Sequence, residues 1–288
     1  MSTITVRAFA KINLSLRVVE KRADGFHGVQ TILQAIDLAD RLTFRTRRGP
    51  FQIVSSTPGV PADRTNLVWQ AAERLWAAAG RHGAPQDVVV TLEKHIPTQA
   101  GLGGGSSDAA AALLALRKRW KLKVQDQELA AIAASLGSDV PYFFVGGTAL
   151  ALGRGEDVYP LADLPAWWAV LAFPPFGVAT GDAYQWLDEL RGRTPLAPEP
   201  HRLPRTWLGA LSPLVNDLER PVVTRHPAIG TLLTQLTKLG AAMAAMSGSG
   251  STVFGIFMTA SAAERAARTL GRAGTRAMAV QFRGRRRR

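Results

Sequence analysis

The period of the apolar positions changes several times along the chain, and each change predicts an element. Val6, Phe9, Ile12, Leu14, Leu16 and Val18 predict a strand pair or one long strand over Val6 to Val19. Lys21-Arg22-Ala23-Asp24-Gly25 then reads as a turn. Val29 to Leu38 is apolar at mixed spacing, as strand or short helix. Leu42 to Arg47 and Phe51 to Ser55 read as strands flanking a Gly49-Pro50 turn. Leu67, Ala71, Leu75 and Ala78 give Asn66 to Ala79 a helical spacing, and Val88 to Leu92 is a β-branched strand. A second helix is expected after Ser106 or Ser107, either of which can cap it, and Arg117-Lys118-Arg119 suits its C-terminal end. Gln127 to Leu136 predicts a third helix closed by Gly137, followed by a Ser138-Asp139-Val140-Pro141 turn. Tyr142 to Leu152 reads as strand, Gly-Gly, strand.

In the second half, Trp168–Phe173 and Val253–Phe257 are strand-like. Ala183–Leu190, Ile229–Leu239 and Ala262–Leu270 are helical, the last with Ser261 as its cap. A proline-rich stretch, Pro195 to Pro213, lies between them. Strands and helices mix without strict βαβ alternation, which predicts an α+β fold. A domain change falls near residues 155–165, and no internal repeat is evident.

Composition narrows the class. With 288 residues, 47% of them hydrophobic, there is enough apolar side chain for a core and for one large or two modest domains. No apolar run approaches the ~18 residues that span a membrane, and no export signal precedes the first strand. There is no cysteine, which excludes disulfides, thiolate metal sites and cysteine nucleophiles and points to the cytoplasm. The net charge of +13 admits nucleic acid, acidic lipid or a polyanionic small substrate. Five of the last six residues, Arg283 and Arg285–Arg288, are arginine. That tail reads as a solvated, disordered terminus or as a non-specific nucleic-acid contact. No zinc finger or basic zipper accompanies it.

The most informative segment is Pro97-Thr98-Gln99-Ala100-Gly101-Leu102-Gly103-Gly104-Gly105-Ser106-Ser107-Asp108. Four glycines in five residues let a ligand lie against the backbone, and a glycine loop feeding a helix N-terminus is a phosphate cradle. It is not a Walker A loop, because no Gly-Lys-Ser/Thr follows, and it lacks the protein-kinase and dinucleotide-binding glycine patterns. The serine hydroxyls can bind a phosphate oxygen or a metal-bound water.

Four further clusters carry chemistry. Lys11 sits inside an apolar strand pattern, either on a solvent-facing side or buried with a partner, and Asn13 shares its face. Asp139 is a turn residue by position, yet phosphoryl transfer needs a carboxylate that can orient or deprotonate the attacking hydroxyl. Asp24-Gly25-Phe26-His27 is a hairpin turn, or an aromatic face and an imidazole aimed at a nucleobase. Ser247-Gly248-Ser249-Gly250-Ser251 is a linker or a second close approach of backbone to ligand.

Together these motifs resemble the GHMP kinases (galactose, homoserine, mevalonate and phosphomevalonate kinases). The likeness is carried by the 97–107 loop, Ala10-Lys11-Ile12-Asn13-Leu14, Arg22-Ala23-Asp24-Gly25-Phe26-His27, Gly137-Ser138-Asp139-Val140-Pro141 and Ser247-Gly248-Ser249-Gly250, in that family's order along the chain. It runs from about residue 7 to about residue 257. The resemblance implies a two-domain GHMP kinase fold with the active site in the cleft between domains: 1–158 with the ATP loop and catalytic residues, and 159–288 with the basic tail at 283–288. It implies ATP as co-substrate with Mg²⁺, whose ligands it leaves open and for which no protein residue is singled out. It implies small-molecule substrates only, ATP and a cytidine diphosphate sugar alcohol. No specific nucleic acid and no membrane are expected as partners, and the chain is expected to be a cytoplasmic monomer or homodimer. By the same resemblance Asp139 is the catalytic base and Lys11 its cationic partner. Pro97, Gly101, Leu102, Gly103, Gly104, Gly105, Ser106 and Ser107 bind ATP phosphates, with Asn66 and Lys94 near the adenine. Asn13, Phe26, His27 and Tyr184 bind the acceptor. Many relatives carry tyrosine where this chain has Phe26, so the ring is kept and its hydroxyl lost.

Overall fold

The computed structural model describes residues 3–193 and 215–285. They fall into two units, neither a continuous stretch of chain: residues 3–10, 38–97 and 103–145, and residues 11–37, 98–102, 146–193 and 215–285.

In the first unit, strand β4 (Gln86–Glu93) lies between β2 (His27–Pro50) and β3 (Gln52–Ser55), antiparallel to the first and parallel to the second. The two strands expected on either side of Gly49-Pro50 form and run in opposite directions, but they do not pair with each other. The β2 strand runs through Gly49-Pro50 with an irregular register between Thr46 and Pro50, and the chain then passes to the far edge of β4. The long strand β1 (Thr3–Lys21) pairs with β2. Against this sheet pack α1 (Leu67–Ala78), α2 (Gly104–Arg119), α3 (Asp126–Leu136) and the short α4 (Tyr142–Val145). Helix α1 starts where Asn66 Oδ1 accepts the Val68 N–H at 2.9 Å. It buries Val68, Ala71, Ala72, Leu75 and Trp76, one stripe at helical spacing. Helix α2 buries Ala109, Ala110, Ala112, Leu113, Ala115 and Leu116, and the alanines let it lie close along α1.

The strand expected at the start of Tyr142–Leu152 is helical instead. Pro141 presets a helical turn, and the Phe143 and Phe144 amides bond back to Val140 and Pro141 at 3.2 and 3.1 Å. The serine caps expected for α2 are also displaced: the helix starts at Gly104 behind a left-handed Gly103, so both serines lie inside its first turns.

In the second unit, β2 continues to β5 (Thr148–Leu152) and β6 (Asp157–Pro160), all antiparallel. A separate antiparallel sheet has the order β10 (Arg276–Gln281), β7 (Trp168–Phe173), β9 (Val253–Phe257), β8 (Met243–Met246). Helices α7 (Pro227–Lys238) and α8 (Ala260–Arg272) pack on it; α5 (Thr180–Arg193) and α6 (Glu219–Arg225) complete the core, with α6 packed on α5 and α7. Thr259, not Ser261, caps α8, accepting from the Ala262 amide at 3.3 Å. The stretch 195–213 lies outside the described residues.

The arginine tail begins tied down rather than solvated. The Arg283 amide donates to the Ala35 carbonyl at 2.9 Å, and its guanidinium lies 3.2 Å from Asp37. Arg285 donates from its amide to Asp163 at 2.9 Å and from its side chain to the Leu161 carbonyl at 2.6 Å. Arg286–Arg288 lie outside the described residues. Among the described residues no helix is long and apolar enough to cross a membrane.

Candidate active site

Residues 10–14 of β1 are buried on both faces of the strand, which decides the position of Lys11. It does not face solvent: it is 3% exposed. Its Nζ donates to Asn13 Oδ1 at 2.6 Å and to the Gly101 carbonyl at 3.0 Å, and its amide donates to the Leu102 carbonyl at 3.0 Å. Asn13 passes the chain on, donating to Thr31 Oγ1 at 2.8 Å, which donates to the Ser15 carbonyl at 2.6 Å. A buried ammonium is tolerated only where such acceptors surround it.

The serine-glycine segment belongs to the same cluster. Ser247 Oγ accepts from the Asn13 amide at 3.3 Å and donates to the Gly101 carbonyl at 2.9 Å. Asn216, which the sequence reading missed, holds that segment from the other side, donating to the Met246 and Gly248 carbonyls at 2.8 Å each. The segment is therefore neither a linker nor free backbone. Its signal was a lone asparagine just beyond the proline-rich stretch, with no motif around it.

Gly103 to Ser107 open α2. Gly103 is left-handed at φ 69°, and the first helical bond runs from the Ser107 amide to its carbonyl at 2.9 Å. The amides of Gly104, Gly105 and Ser106 thus precede the first intrahelical donor, the arrangement that favours an anion. Ser107 is buried and donates its hydroxyl to the Phe9 carbonyl at 2.7 Å. A β-carbon on Gly104 would meet Ile96 Cγ2 at 2.9 Å, so the helix start is pressed onto the segment that follows β4.

Lys94 makes two ion pairs, to Asp40 and, at 2.7 Å, to Asp108 on α2. Asp40 is fully buried and also accepts the His95 and Ile96 amides, at 2.5 and 2.9 Å. One ammonium thus serves two buried carboxylates. Burial works against the Lys94 charge, but Asp108 and Asp40 outweigh it and hold the ammonium above its usual range. Burial, helped by the Asp40 charge and opposed by Lys94, pushes the Asp108 carboxyl up to about 7, and its Oδ1 is buried without a hydrogen-bond partner. Because the folded value lies above the ordinary 3.8, folded protein keeps a proton that the unfolded chain releases. This contribution to stability is full below the unfolded value and is lost as pH rises through the folded one. In urea unfolding, the stability of the native protein minus that of Asp108→Asn should therefore fall between about pH 4 and pH 7 and then level off. A difference that rises with pH would refute the assignment.

Asn66 caps α1, and its amide also donates to the Pro61 carbonyl at 2.7 Å. Asp139 is half-buried in the turn between α3 and α4, where the Val140 amide bonds to the Gly137 carbonyl at 3.0 Å. Phe26 is 56% exposed, with the Arg154 guanidinium 5.3 Å from its ring. His27 is stacked on Tyr184 with ring centroids 5.1 Å apart. The first unit holds Asn66, Lys94, Pro97, Gly103–Ser107 and Asp139, and the second holds Lys11, Asn13, Phe26, His27, Gly101, Leu102 and Tyr184.

Comparison with known proteins gives these geometries a context. The chain matches the GHMP kinases N terminal domain over residues 66–147 and the GHMP kinases C terminal domain over residues 202–276. It is 41% identical over 276 residues to a 4-diphosphocytidyl-2-C-methyl-D-erythritol kinase of Moorella thermoacetica, covering 94% of this chain and 95% of that protein. A protein of the same name from Anaeromyxobacter dehalogenans is 45% identical over 280 residues, covering 94% and 87%. A crystal structure of a 4-(cytidine 5'-diphospho)-2C-methyl-D-erythritol kinase superimposes with a TM-score of 0.83 at 37% identity, covering 98% of this chain and all of that one. The mevalonate kinase of L. major shares the fold alone, with a TM-score of 0.71 at 14% identity and coverage of 98% and 97%.

Proposed function

The chain belongs to the 4-diphosphocytidyl-2-C-methyl-D-erythritol kinases of the GHMP family, ATP-dependent phosphotransferases of isoprenoid biosynthesis, and from that premise we propose how its own residues divide the work. ATP gives its γ-phosphoryl group to the 2-hydroxyl of 4-diphosphocytidyl-2-C-methyl-D-erythritol, leaving ADP and the 2-phosphate. Asp139 accepts the hydroxyl proton as the new bond forms. Lys11 offsets the negative charge on the transferred group. The observation that carries the reading is the buried Lys11 ammonium hydrogen-bonded to the carbonyl of Gly101, inside the glycine loop.

Pro97 and the backbone of Gly101 to Ser107 hold the ATP phosphates. Ser106 offers its hydroxyl there, while Ser107, donating to Phe9, braces the helix start. Asn66 and Lys94 fix the chain at the adenine end through their cap and ion pairs. Mg²⁺ would offset the charge of the ATP phosphates, and no protein ligand is assigned to it. Asn13, Phe26, His27 and Tyr184 take the cytidyl acceptor, His27 by hydrogen bonds to the base and the two rings by contact. Most of the acceleration is positioning and electrostatics.

The same proposal makes the protein a cytoplasmic monomer or homodimer with no specific nucleic-acid partner. It divides the sequence at 158/159, between the two family matches. A coupled ADP-release assay tests the activity. Turnover is expected with 4-diphosphocytidyl-2-C-methyl-D-erythritol and none with mevalonate, homoserine or galactose; turnover of one of the latter instead would overturn the reading.

A further inference from the structure

His27 begins β2, just after the Asp24-Gly25-Phe26 turn, and its ring lies against α5. Tyr184 on that helix stacks on the imidazole at an interplanar angle of 23°. One turn further on, Asp188 Oδ1 meets His27 Nε2 at 2.8 Å. Positions four apart share a helix face, so one face of α5 fixes both the plane of the ring and one of its two nitrogens. The His27 side chain is 9% exposed, and Lys21 Nζ lies 3.4 Å from the other oxygen of Asp188.

We propose that Asp188 is a specificity-determining positioning residue: it fixes the tautomer of His27 and thereby selects cytosine over uracil. This rests on the reading of His27 as the base-recognising residue. An ionised carboxylate only accepts, so the hydrogen bond to Asp188 requires the proton on Nε2. The neutral ring then presents a lone pair at Nδ1. A lone pair matches the exocyclic amine of cytosine, which donates. The uracil carbonyl at the same ring position is an acceptor, and two acceptors left facing each other are rejected. Stacking on Tyr184 gives that preference a direction, because a ring free to turn would present either edge.

The test compares kcat/KM for the cytidyl acceptor and its uridyl analogue at pH 8 with saturating ATP. The native protein should prefer the cytidyl compound by roughly 10²-fold or more. In Asp188→Leu no acceptor faces Nε2, so neither tautomer of His27 is held. The preference should then fall by at least about 10-fold, through the KM of the acceptor, with kcat on the cytidyl compound and the KM of ATP within about 3-fold of native. Asp188→Glu, which keeps the accepting carboxylate, should restore the preference. Nitrogen-15 NMR of His27 in the native protein should report a neutral ring protonated at Nε2. An unchanged preference in Asp188→Leu, or a native ring protonated at Nδ1, overturns the role of Asp188 while leaving the kinase assignment intact. Absence of turnover of the cytidyl compound by the native protein overturns both.

Discussion

Replacing Asp139 by asparagine is expected to lower turnover by about 10²-fold or more while ATP binding is largely kept. The substitution preserves shape, and the side chain is half-buried in a turn whose backbone is closed by its own Val140–Gly137 hydrogen bond. The amide cannot take the proton of the acceptor hydroxyl, so the loss should appear in kcat and equally in kcat/KM. Lys11→Ala is expected to lose as much, with an added stability cost, because it removes the donor to Asn13 Oδ1 and to Gly101 in a buried setting. Rapid-quench phosphoryl transfer and an ATP dissociation constant, each checked against the melting temperature, separate chemistry from folding. Near-normal turnover in both variants would sink the assignment of the two residues.

How legible these roles were depended on whether the signal was local. Helix α1 could be read because its buried stripe, Val68 to Trp76, and its Asn66 cap are sequential. The strand β4 could be read for the same reason, from a run of β-branched residues. Tyr142–Val145 misled because aromatic, β-branched composition favours strand, while the Pro141 turn decided for helix. The Gly49-Pro50 pair left the strand pairing open, because turn chemistry does not say which edge of β4 the next strand will join. Strands β6, β8 and β10 were missed: two are four residues long, and the third follows directly on an amphipathic helix.

At the site, the glycine loop and the Lys11, His27 and Asp139 motifs were visible as residue types at family spacing. Their partners were not. Whether Lys11 is buried could not be read from alternation, because β1 is covered on both faces only over residues 10–14. Asn216 and Asp188 act across separations of 32 and 161 residues, to Gly248 and His27 respectively, and nothing local marks them. Lys94 is placed at the adenine end by family spacing alone. Its two ion pairs depend on Asp40, 54 residues earlier, and on Asp108, 14 residues later.

Gly101→Ala should be the most damaging single methyl group in the second unit. Gly101 has φ +72°, and a β-carbon there would lie 2.0 Å from the Ser247 carbonyl oxygen and 3.0 Å from that of Gly250. Both are backbone atoms, and neither is at liberty to move. Ser247 is fully buried, its hydroxyl is engaged by Asn13 and Gly101, and Asn216 clamps the carbonyls on either side of it. The left-handed conformation costs an alanine about 1–2 kcal/mol, and overpacking adds about 1–3, so a loss of about 3 kcal/mol or more is expected. Gly80→Ala supplies the comparison: φ is +70° there, but nothing lies within 4 Å of the added carbon, so only the conformational part applies. Urea unfolding of the two variants therefore separates backbone conformation from contact. Activity should divide them too. Displacing the Gly101 carbonyl removes an acceptor from the Lys11 ammonium and shifts the loop, so kinase turnover should collapse in Gly101→Ala at temperatures where it still folds, and persist in Gly80→Ala. Equal destabilisation of the two, with activity kept in both, would mean that the Ser247–Gly250 segment yields freely, and the rigid support argued for the glycine loop would fail with it.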